Sequence, residues 1–479
     1  MHSGSGDSCW QTSLYYLGGS LQTYVANHFR RPFCDGATNA GEISLSWSRG
    51  LLGNMEQSEN IVIGTREVWG TEYPFGLLND DRRHHCYVLG KTGTGKTTLL
   101  RNLIVQDIEA GRGVGVIDPH GDLAQELLSL IPRHRIEDVA YFDPADPDYA
   151  LGFNIFETDR DIHLVASGLV SAMKAIWRES WGPRLEYILY ATAAALLECE
   201  NVTLLGAQRM LFDPRYRVWV VKQIKDPVVR SFWINEFESY NDRFMQDAIG
   251  PVQNKVGQIL MSPKLRNVLG QVKTKIDARF MMDNRRIFIA NLSKGNLGED
   301  KSNLMGALLV SQFQVAAMSR VDFPEEKRED FHLYVDEFQS FASDSFASIL
   351  SEARKYRLCL TLSHQYIDQL LPEIRLAVFG NVGSMVVFRL GERDAEILER
   401  ELGGPYTATQ LTGLGRHEVC ARILTSGISE PAFLGRTYPP SGQRYGHREK
   451  IIRRSREKYA TKKAIVEEKI ARWIQKPIR

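Results

Sequence analysis

The sequence of 479 residues lacks the features that mark membrane, secreted or zinc-binding proteins. The run around Ile188 to Leu197 is interpreted as the longest that is apolar and nearly uncharged, and it falls well short of the ~20 residues that a bilayer span requires. No stretch has the charged, apolar and small-residue order of a cleavable signal. The six cysteines are scattered, without the close spacing of a zinc site or a dithiol. We therefore expect a cytoplasmic globular protein with reduced thiols.

The chain also lacks a net charge of either sign, since 59 Lys and Arg balance 58 Asp and Glu. The balance hides an asymmetry, because residues 441–479 contain 13 Lys and Arg against four Glu, which leaves residues 1–440 mildly acidic. Apolar side chains recur there at helical spacing, at Ile452, Tyr459, Val466, Ile470 and Trp473. This segment is predicted to be a basic amphipathic helical tail. It could dock on its own domain, bind nucleic-acid phosphates, or contact a partner or a membrane surface.

From residue 84 onward, short β-branched and aromatic runs alternate with helix-length segments, which is the pattern of a parallel sheet covered by helices. Strands are predicted at 85–89, 114–117, 139–142, 287–291, 331–335, 359–363, 385–390 and 419–423. Residues 157–283 show helical periodicity and no convincing strand. The predicted fold class is α/β, with a mostly parallel central sheet in residues 60–156 and 284–440 and an inserted all-α domain in 157–283. Residues 1–59 are an N-terminal extension of uncertain structure.

A phosphate-binding loop follows the first predicted strand and precedes a helix. It fits the eight-position pattern at every fixed place, through Gly90, Lys91, Thr92, Gly93, Thr94, Gly95, Lys96 and Thr97. Glycines let backbone N–H groups point at phosphate oxygens, and the following helix adds the positive end of its dipole. Lys96 is predicted to reach the β and γ phosphates, and the Thr97 hydroxyl to ligate Mg²⁺. Thr98, the next residue, is also predicted to belong to the nucleotide-binding segment. The expected cofactors are ATP and Mg²⁺.

A phosphate-loop enzyme needs a second carboxylate site for Mg²⁺ and the attacking water, normally at a strand end. Two predicted strands qualify, one ending in Asp118 and the other in Asp336-Glu337. The adjacent pair suits a division of labour in which Asp336 holds the metal and Glu337 orients or deprotonates the water. Asp118 is then predicted to be a secondary position at the neighbouring strand end, where it would shape the surroundings of the metal without binding it directly. The alternative is that the pair only caps the next helix.

The following strand ends in Ser363-His364-Gln365, at the edge where all carboxyl ends of a parallel sheet meet. Gln365 is predicted to contact the γ-phosphate or the water, with an ordinary loop amide as the alternative. His364 is expected to be structural.

Together these motifs resemble the HerA/FtsK superfamily of DNA-pumping ATPases, and within it the TraG/TraD-type coupling proteins of type IV secretion and conjugation. The resemblance covers residues 59–440 and includes the motifs 118–122, 333–337, 353–356 and 363–365. It implies a RecA-like P-loop NTPase motor carrying an all-α domain, assembled as a ring around DNA, with a hexamer expected. The family's phosphate-binding lysine and magnesium threonine match Lys96 and Thr97. Its metal aspartate, catalytic glutamate and sensor glutamine match Asp336, Glu337 and Gln365.

The resemblance also implies a role for Arg354, which matches the first of a basic pair before the sensor strand. Arg354 is the candidate for an arginine finger that enters a neighbouring subunit's site, where its planar fork can bridge phosphate oxygens. Arg389, late on another predicted strand, is the weaker rival. The resulting catalytic set is Glu337, Lys96, Gln365 and Arg354.

The function implied is an ATP-driven motor that translocates DNA or a DNA–protein complex, with further copies of itself and secretion or relaxosome proteins as partners. Alternatives are a HerA-like translocase in DNA-end processing, a protein-secretion ATPase, and a slow nucleotide-gated docking module. Coupling proteins usually begin with transmembrane helices, whereas only residues 1–59 precede this motor. Membrane association is therefore expected to be peripheral and to depend on a partner, with a soluble relative or a truncated gene product as the alternatives.

Overall fold

A computed structural model describes residues 60–475 of the chain, except for the side chains of residues 242–246 and 345. The predicted N-terminal extension, residues 1–59, lies outside the described residues, as do residues 476–479. The strands are β1 (Asn60–Val68), β2 (Thr71–Leu78), β3 (Cys86–Leu89), β4 (Gly113–Asp118), β5 (Val139–Phe142), β6 (Tyr149–Leu151), β7 (Ile287–Asn291), β8 (Phe331–Val335), β9 (Leu358–His364), β10 (Ser384–Val387), β11 (Glu418–Arg422), β12 (Leu424–Thr425), β13 (Ile428–Ser429), β14 (Phe433–Thr437) and β15 (Ala460–Lys462).

The α-helices lie between these strands or after them. They are α1 (Lys96–Glu109), α2 (Asp122–Leu128), α3 (Ile162–Ile176), α4 (Pro183–Leu197), α5 (Leu204–Phe212), α6 (Pro214–Val221), α7 (Pro227–Ser231), α8 (Asp242–Met261), α9 (Pro263–Leu269), α10 (Ala278–Asp283), α11 (Lys294–Leu297), α12 (Glu299–Met318), α13 (Asp344–Glu352), α14 (Pro372–Asn381), α15 (Glu392–Leu402), α16 (Ala408–Gly413), α17 (Arg448–Tyr459) and α18 (Lys463–Gln475).

The centre of the structure is an 11-stranded sheet in the order β2-β1-β14-β11-β10-β3-β9-β8-β4-β7-β5. The strands from β10 to β5 run parallel to one another. Strands β11, β14, β1 and β2 extend the sheet in antiparallel fashion beyond β10. The predicted α/β class with a mostly parallel central sheet is therefore confirmed.

All eight predicted strands are present, with ends that differ by at most a few residues. The largest difference is at β10, which ends at Val387 rather than at residue 390. Beyond that point Phe388 donates its backbone N–H to Leu89 at 2.8 Å, and the Arg389 carbonyl accepts from the Lys91 N–H at 3.0 Å. The end of the strand is thus used to hold the phosphate loop.

The other seven strands are not predicted from the sequence, and they include the short strands β6, β12, β13 and β15, the last within the tail predicted to be helical. In β1, β2 and β14, side chains are buried on one face or at one end only, so the continuous apolar runs of the central strands are missing. Pro74 within β2 also argues against a strand by sequence alone, because proline is tolerated only at sheet edges, where β2 lies.

Residues 157–283 hold helices α3 to α10, and in the structure this segment contains no strand. Helix α3 packs on α12, which follows β7 in the chain. One apolar core runs from the sheet into these helices and includes Val165, Phe288 and Phe313. The division of the chain into motor, insertion and tail remains a prediction.

Within the described residues one helical stretch, residues 299–322, is long and apolar enough by composition to cross a membrane. Its uncharged part exceeds the run at Ile188 to Leu197. However, 78% of the apolar window is buried inside the protein. Helix α12 is therefore a core helix that packs between the sheet and the helical segment, and it is weak evidence for a membrane span.

The basic C-terminal segment is two helices with a strand between them, docked on the chain itself. Helix α17 lies beside β5, where the Ser455 hydroxyl accepts from the Tyr141 N–H at 2.9 Å. Strand β15 pairs with β6. Helix α18 lies against the helical segment, where Trp473 contacts the Tyr216 ring. Of the alternatives for this segment, docking on its own domain is thus observed.

We predict that the stability of the fold decreases as the pH falls from about 6.5 towards 4, partly because of His85. Burial lowers the pKa of His85 to about 4. Its ring is held neutral, since Nδ1 accepts from the Leu360 N–H and Nε2 lies 3.2 Å from the Leu350 carbonyl. The unfolded chain binds the proton near pH 6.5, whereas the folded chain does not, so this group costs about 3 kcal/mol by pH 4.

The measurement is the urea midpoint at pH 7, 6 and 5 for the wild type, His85→Gln and His134→Gln, which replaces an exposed histidine. The His85→Gln protein should lose part of the pH dependence, and the His134→Gln protein should keep it. An equal pH dependence in all three would contradict the assignment.

Candidate functional site

The phosphate loop joins the end of β3 to the start of α1. Gly93 and Gly95 have φ angles of 76° and 126°, which glycine adopts at little cost. A Cβ on Gly90 would lie 2.6 Å from the Phe388 Cβ, and one on Gly95 would lie 2.7 Å from Nδ1 of His417. The glycines are therefore required by the backbone conformation and by close packing against neighbouring segments.

Backbone hydrogen bonds from three segments hold this loop. The Gly90 N–H donates to the His364 carbonyl at 3.3 Å, and the Lys91 N–H donates to Arg389 at 3.0 Å. On the other side, the His417 N–H donates to the Thr94 carbonyl at 3.0 Å. The contribution of residue 417 was missed by sequence reasoning, because it lies far along the chain and carries no motif.

Lys96 is the first residue of α1, and its side chain reaches back to the phosphate loop. Its Nζ donates to the carbonyls of Gly90 at 2.6 Å and Lys91 at 3.2 Å, and the side chain is buried. Burial lowers the pKa of Lys96, while the negative charges of Glu337 and Asp336 act in the opposite direction. A buried cation close to two carboxylates and to a ring of backbone groups fits an anionic ligand.

The other predicted loop residues differ in exposure. Lys91, Thr92, Gly93 and Thr97 are exposed, Thr98 is half-buried, and the Thr94 hydroxyl donates to the Lys91 carbonyl at 2.7 Å. The hydroxyl of Thr97 is thus accessible at the start of α1, as a Mg²⁺ ligand has to be.

The predicted acidic pair follows β8, one strand away from β9 and two from β3. Asp336 is only 5% exposed. Burial raises the pKa of Asp336 to about 6, the charges of Asp118 and Glu337 add to the rise, and Lys96 opposes it. These charge effects indicate that the acidic pair and the predicted phosphate lysine lie close together at the carboxyl ends of the strands.

Glu337 is held by two glutamine side chains. Its backbone is left-handed, with φ 48°, and its side chain is buried. One carboxylate oxygen accepts from Nε2 of Gln365 at 2.6 Å, and the other accepts from Nε2 of Gln339. Oε1 of Gln365 in turn accepts from the Thr92 hydroxyl at 3.1 Å. Gln365 therefore connects the phosphate loop to Glu337, whereas Gln339 was not singled out from the sequence.

Asp118 and His364 both have internal partners. The two carboxylate oxygens of Asp118 accept from the N–H groups of His120 and Ala124, each at 2.8 Å, so this residue holds the turn before α2 and one N–H of its first turn. The His364 Nδ1 lies 2.9 Å from the Tyr87 hydroxyl, and burial lowers the pKa of His364 to about 3. Asp118 thus acts on Asp336 through its charge, and His364 packs as a neutral ring.

The two candidate arginines lie at opposite ends of the parallel strands. Arg354 is exposed in a 3₁₀ turn before β9, near the start of β3. Burial, and after it the charge of Arg354, lowers the pKa of His84 at that amino edge. Arg389 is exposed at the carboxyl edge and supports Lys91 through its carbonyl. Within one chain, therefore, Arg354 is separated from the other predicted catalytic residues by the length of the strands.

A buried ion network ties the loop helix to the strand that carries the acidic pair. Asp107, near the end of α1, accepts two hydrogen bonds of 2.7 Å from Arg82. The Tyr334 hydroxyl on β8 joins them, accepting from Arg82 at 2.8 Å and donating to Asp107. Burial alone would raise the pKa of Asp107, but the Arg82 guanidinium outweighs it and holds that pKa well below its usual range.

We predict that Asp107→Asn destabilises the protein by about 3–5 kcal/mol, because it leaves the buried Arg82 charge without its anion. Tyr334→Phe should cost only about 1 kcal/mol, since it removes hydrogen bonds and leaves the ion pair. Urea unfolding measures both losses. Asp344→Asn is the control, because that half-exposed carboxylate pairs with Lys174 at the surface and should contribute no more than about 1 kcal/mol. Equal losses for Asp107→Asn and Asp344→Asn would contradict the role of the network.

Within residues 60–475, no group of three or more His, Cys, Asp or Glu side chains is arranged to hold a metal ion by itself. A Mg²⁺ ion bound through one hydroxyl and one carboxylate takes its other ligands from phosphates and water. Thr97 and Asp336 fit that mode of binding.

Residues 69–312 match the family described as the helicase HerA, central domain. No curated protein sequence is significantly similar to the chain. The bacterial conjugative coupling protein TrwBdeltaN70, in its unbound monoclinic form, has a similar structure, with a TM-score of 0.57 at 16% identity over 85% of this chain and 93% of that one. Plasmid coupling protein TrwB in complex with the ATP analogue ADPNP gives 0.57 at 16% identity, over 86% and 97%. TrwB in complex with ADP and Mg²⁺ gives 0.55 at 16% identity, over 86% and 97%. These similarities confirm the predicted RecA-like P-loop fold.

Proposed function

Since the chain belongs to the helicase HerA central-domain family, which its residues 69–312 match, we propose that it is an ATP-hydrolysing motor. The observation that carries the proposal is the continuous contact from the phosphate loop through Gln365 to Glu337. A loop for phosphates, a sensing amide and a general base are thereby connected in one unit. Such a unit can couple the presence of a γ-phosphate to the position of the base.

The residues have separate roles in this proposal. The segment Gly90 to Thr98 would bind the nucleotide, with Lys96 moving from the loop carbonyls to the β and γ phosphates. Thr97 and Asp336 would hold Mg²⁺. The metal, when bound, neutralises the charge that develops on the phosphates.

Glu337 would orient a water molecule and take its proton at a carboxylate oxygen. The water oxygen forms a bond to the γ-phosphorus as the bond from that phosphorus to the oxygen bridging to the β-phosphate breaks. ADP and inorganic phosphate are released. Arg354 of a neighbouring subunit would stabilise the charge on the transferred group.

The proposed cargo is DNA or a DNA–protein complex, moved by a ring of subunits, with a hexamer as the expected number. The HerA family match and a fold similar to that of a conjugative coupling protein support this cargo. We further propose a cytoplasmic location, with attachment to the inner face of the membrane through secretion or relaxosome proteins. DNA-end processing, protein secretion and slow nucleotide-gated docking are the alternatives that the experiments below separate.

We predict that the protein hydrolyses ATP, and that DNA raises the rate. Glu337→Gln should lower kcat by about 100-fold or more, the usual contribution of a general base. ATPase rates would be measured with no polymer, single-stranded DNA, duplex DNA and unfolded protein. Glu326→Gln, at an exposed position before β8, is the matched control and should leave the rate unchanged. A rate that responds to unfolded protein alone would favour secretion of polypeptide, and one that ignores every polymer would contradict translocation.

We also predict that Arg354 acts in trans. Arg354→Ala should lower kcat by about 10³-fold if it removes an arginine finger. A mixture of inactive Lys96→Ala and inactive Arg354→Ala subunits should recover part of the activity, because some interfaces then combine an intact loop with an intact finger. Lys355→Ala, at the neighbouring exposed position, is the control for the loss of a surface charge. Intact rings without recovery would count against this role.

A further inference from the structure

Both carboxylate oxygens of Glu337 already accept a hydrogen bond from an amide. Oε1 accepts from Gln365 at 2.6 Å, and Oε2 accepts from Gln339. Hydrogen bonds from neutral amides to a carboxylate are charge-assisted and therefore stronger than those between neutral groups. Amide donors thus occupy both oxygens of the carboxylate, so the side chain is held in one orientation.

The turn that carries Gln339 is fixed in place by other contacts. Phe338 is fully buried and packs on the rings of Tyr87 and His364, with centroids 6.1 and 5.2 Å apart. The Ser340 N–H donates to the Glu337 carbonyl at 2.9 Å. The backbone of the turn therefore does not need the side chain of Gln339 for its position, so the bond to Glu337 is available for another role.

The two amides are not equivalent. Gln365 uses both ends of its amide, since its oxygen accepts from Thr92. Gln339 is half-buried and uses only its nitrogen, while its Oε1 is buried without a hydrogen-bond partner in the described part of the chain. A buried acceptor without a partner makes a side-chain conformation costly. Of the two, Gln339 is thus the amide that leaves Glu337 more readily.

We propose that Gln339 is a positioning residue that restrains Glu337 in a resting orientation, and that its release limits the basal rate of hydrolysis. This proposal rests on the proposed ATPase function and adds a regulatory role that the phosphate-loop motifs do not contain. Gln339 takes no part in the bond changes at the γ-phosphorus. It acts only by holding the carboxylate of Glu337.

The test replaces Gln339 by methionine, which has a similar length and no N–H donor. The Gln339→Met protein should hydrolyse ATP without polymer up to about tenfold faster, the equivalent of one charge-assisted hydrogen bond, with KM unchanged. Gln339→Lys, which offers a stronger charged donor, should be slower than the wild type. A purely structural role would not order the three rates by donor strength.

A second measurement needs no nucleotide. The carboxylate of Glu337 would be labelled with a water-soluble carbodiimide and an amine, and the modification mapped by mass spectrometry. Gln339→Met should increase the labelling of Glu337 about threefold or more, because one of its oxygens is released. Gln339→Ala serves as a second variant if the methionine protein folds poorly. Gln223→Met, at a half-buried glutamine bonded only to the nearby Trp219 carbonyl, is the matched control and should change neither result.

The outcomes separate this proposal from the proposed function. Hydrolysis by the wild type that Glu337→Gln abolishes, with kcat and labelling unchanged in Gln339→Met, overturns the restraint and leaves the motor intact. Absence of hydrolysis from both the wild type and Gln339→Met overturns both proposals. Faster hydrolysis at unchanged KM together with greater labelling supports both.

Discussion

The candidate site depends on a buried ion pair that lies behind it. Arg82, Asp107 and Tyr334 join three elements: the segment before β3, the last turn of α1 and strand β8. Tyr334 precedes Asp336 by two residues, and α1 begins with Lys96. The network therefore links the helix that begins with Lys96 to the strand that leads to the acidic pair, through charges that are buried. Such a network adds specificity of arrangement to a core that hydrophobic contacts alone would hold less uniquely.

The parallel sheet then divides the functional groups between its two edges. Strands β3, β9 and β8 point the same way, so their carboxyl ends present the phosphate loop, Gln365 and the acidic pair together. Arg354 precedes β9 and consequently lies at the other edge. The proposed role of Arg354 therefore requires a site presented by another molecule. Under the proposed function, completion of the site would depend on assembly.

The sequence predicted the central strands well because burial on both faces produces continuous apolar runs, as in Val139–Phe142 and Phe331–Val335. It predicted the phosphate loop because the pattern is local. Edge strands such as β2 were not predicted, since one-sided burial and Pro74 weaken the sequence pattern of a strand. The sequence placed Gln365 at the same end of the sheet as the phosphate loop, but it could not predict the hydrogen bond to Thr92, 273 residues away. The pairing of Gln339 with Glu337 depends on a left-handed turn that only the fold reveals. Asp118 lies at a strand end like the acidic pair, yet its oxygens accept from the backbone N–H groups of His120 and Ala124.

The docking of the C-terminal segment has a consequence for how the protein is made. Strand β5 is the last strand at its edge of the sheet, and the side chain that bonds its Tyr141 comes from Ser455, 314 residues later. Strand β6 likewise pairs with β15, which comes much later in the chain. During synthesis these backbone groups emerge from the ribosome long before their partners do. Until residues 455–462 follow, the nascent chain carries an unpaired sheet edge, and such an edge can pair with another chain.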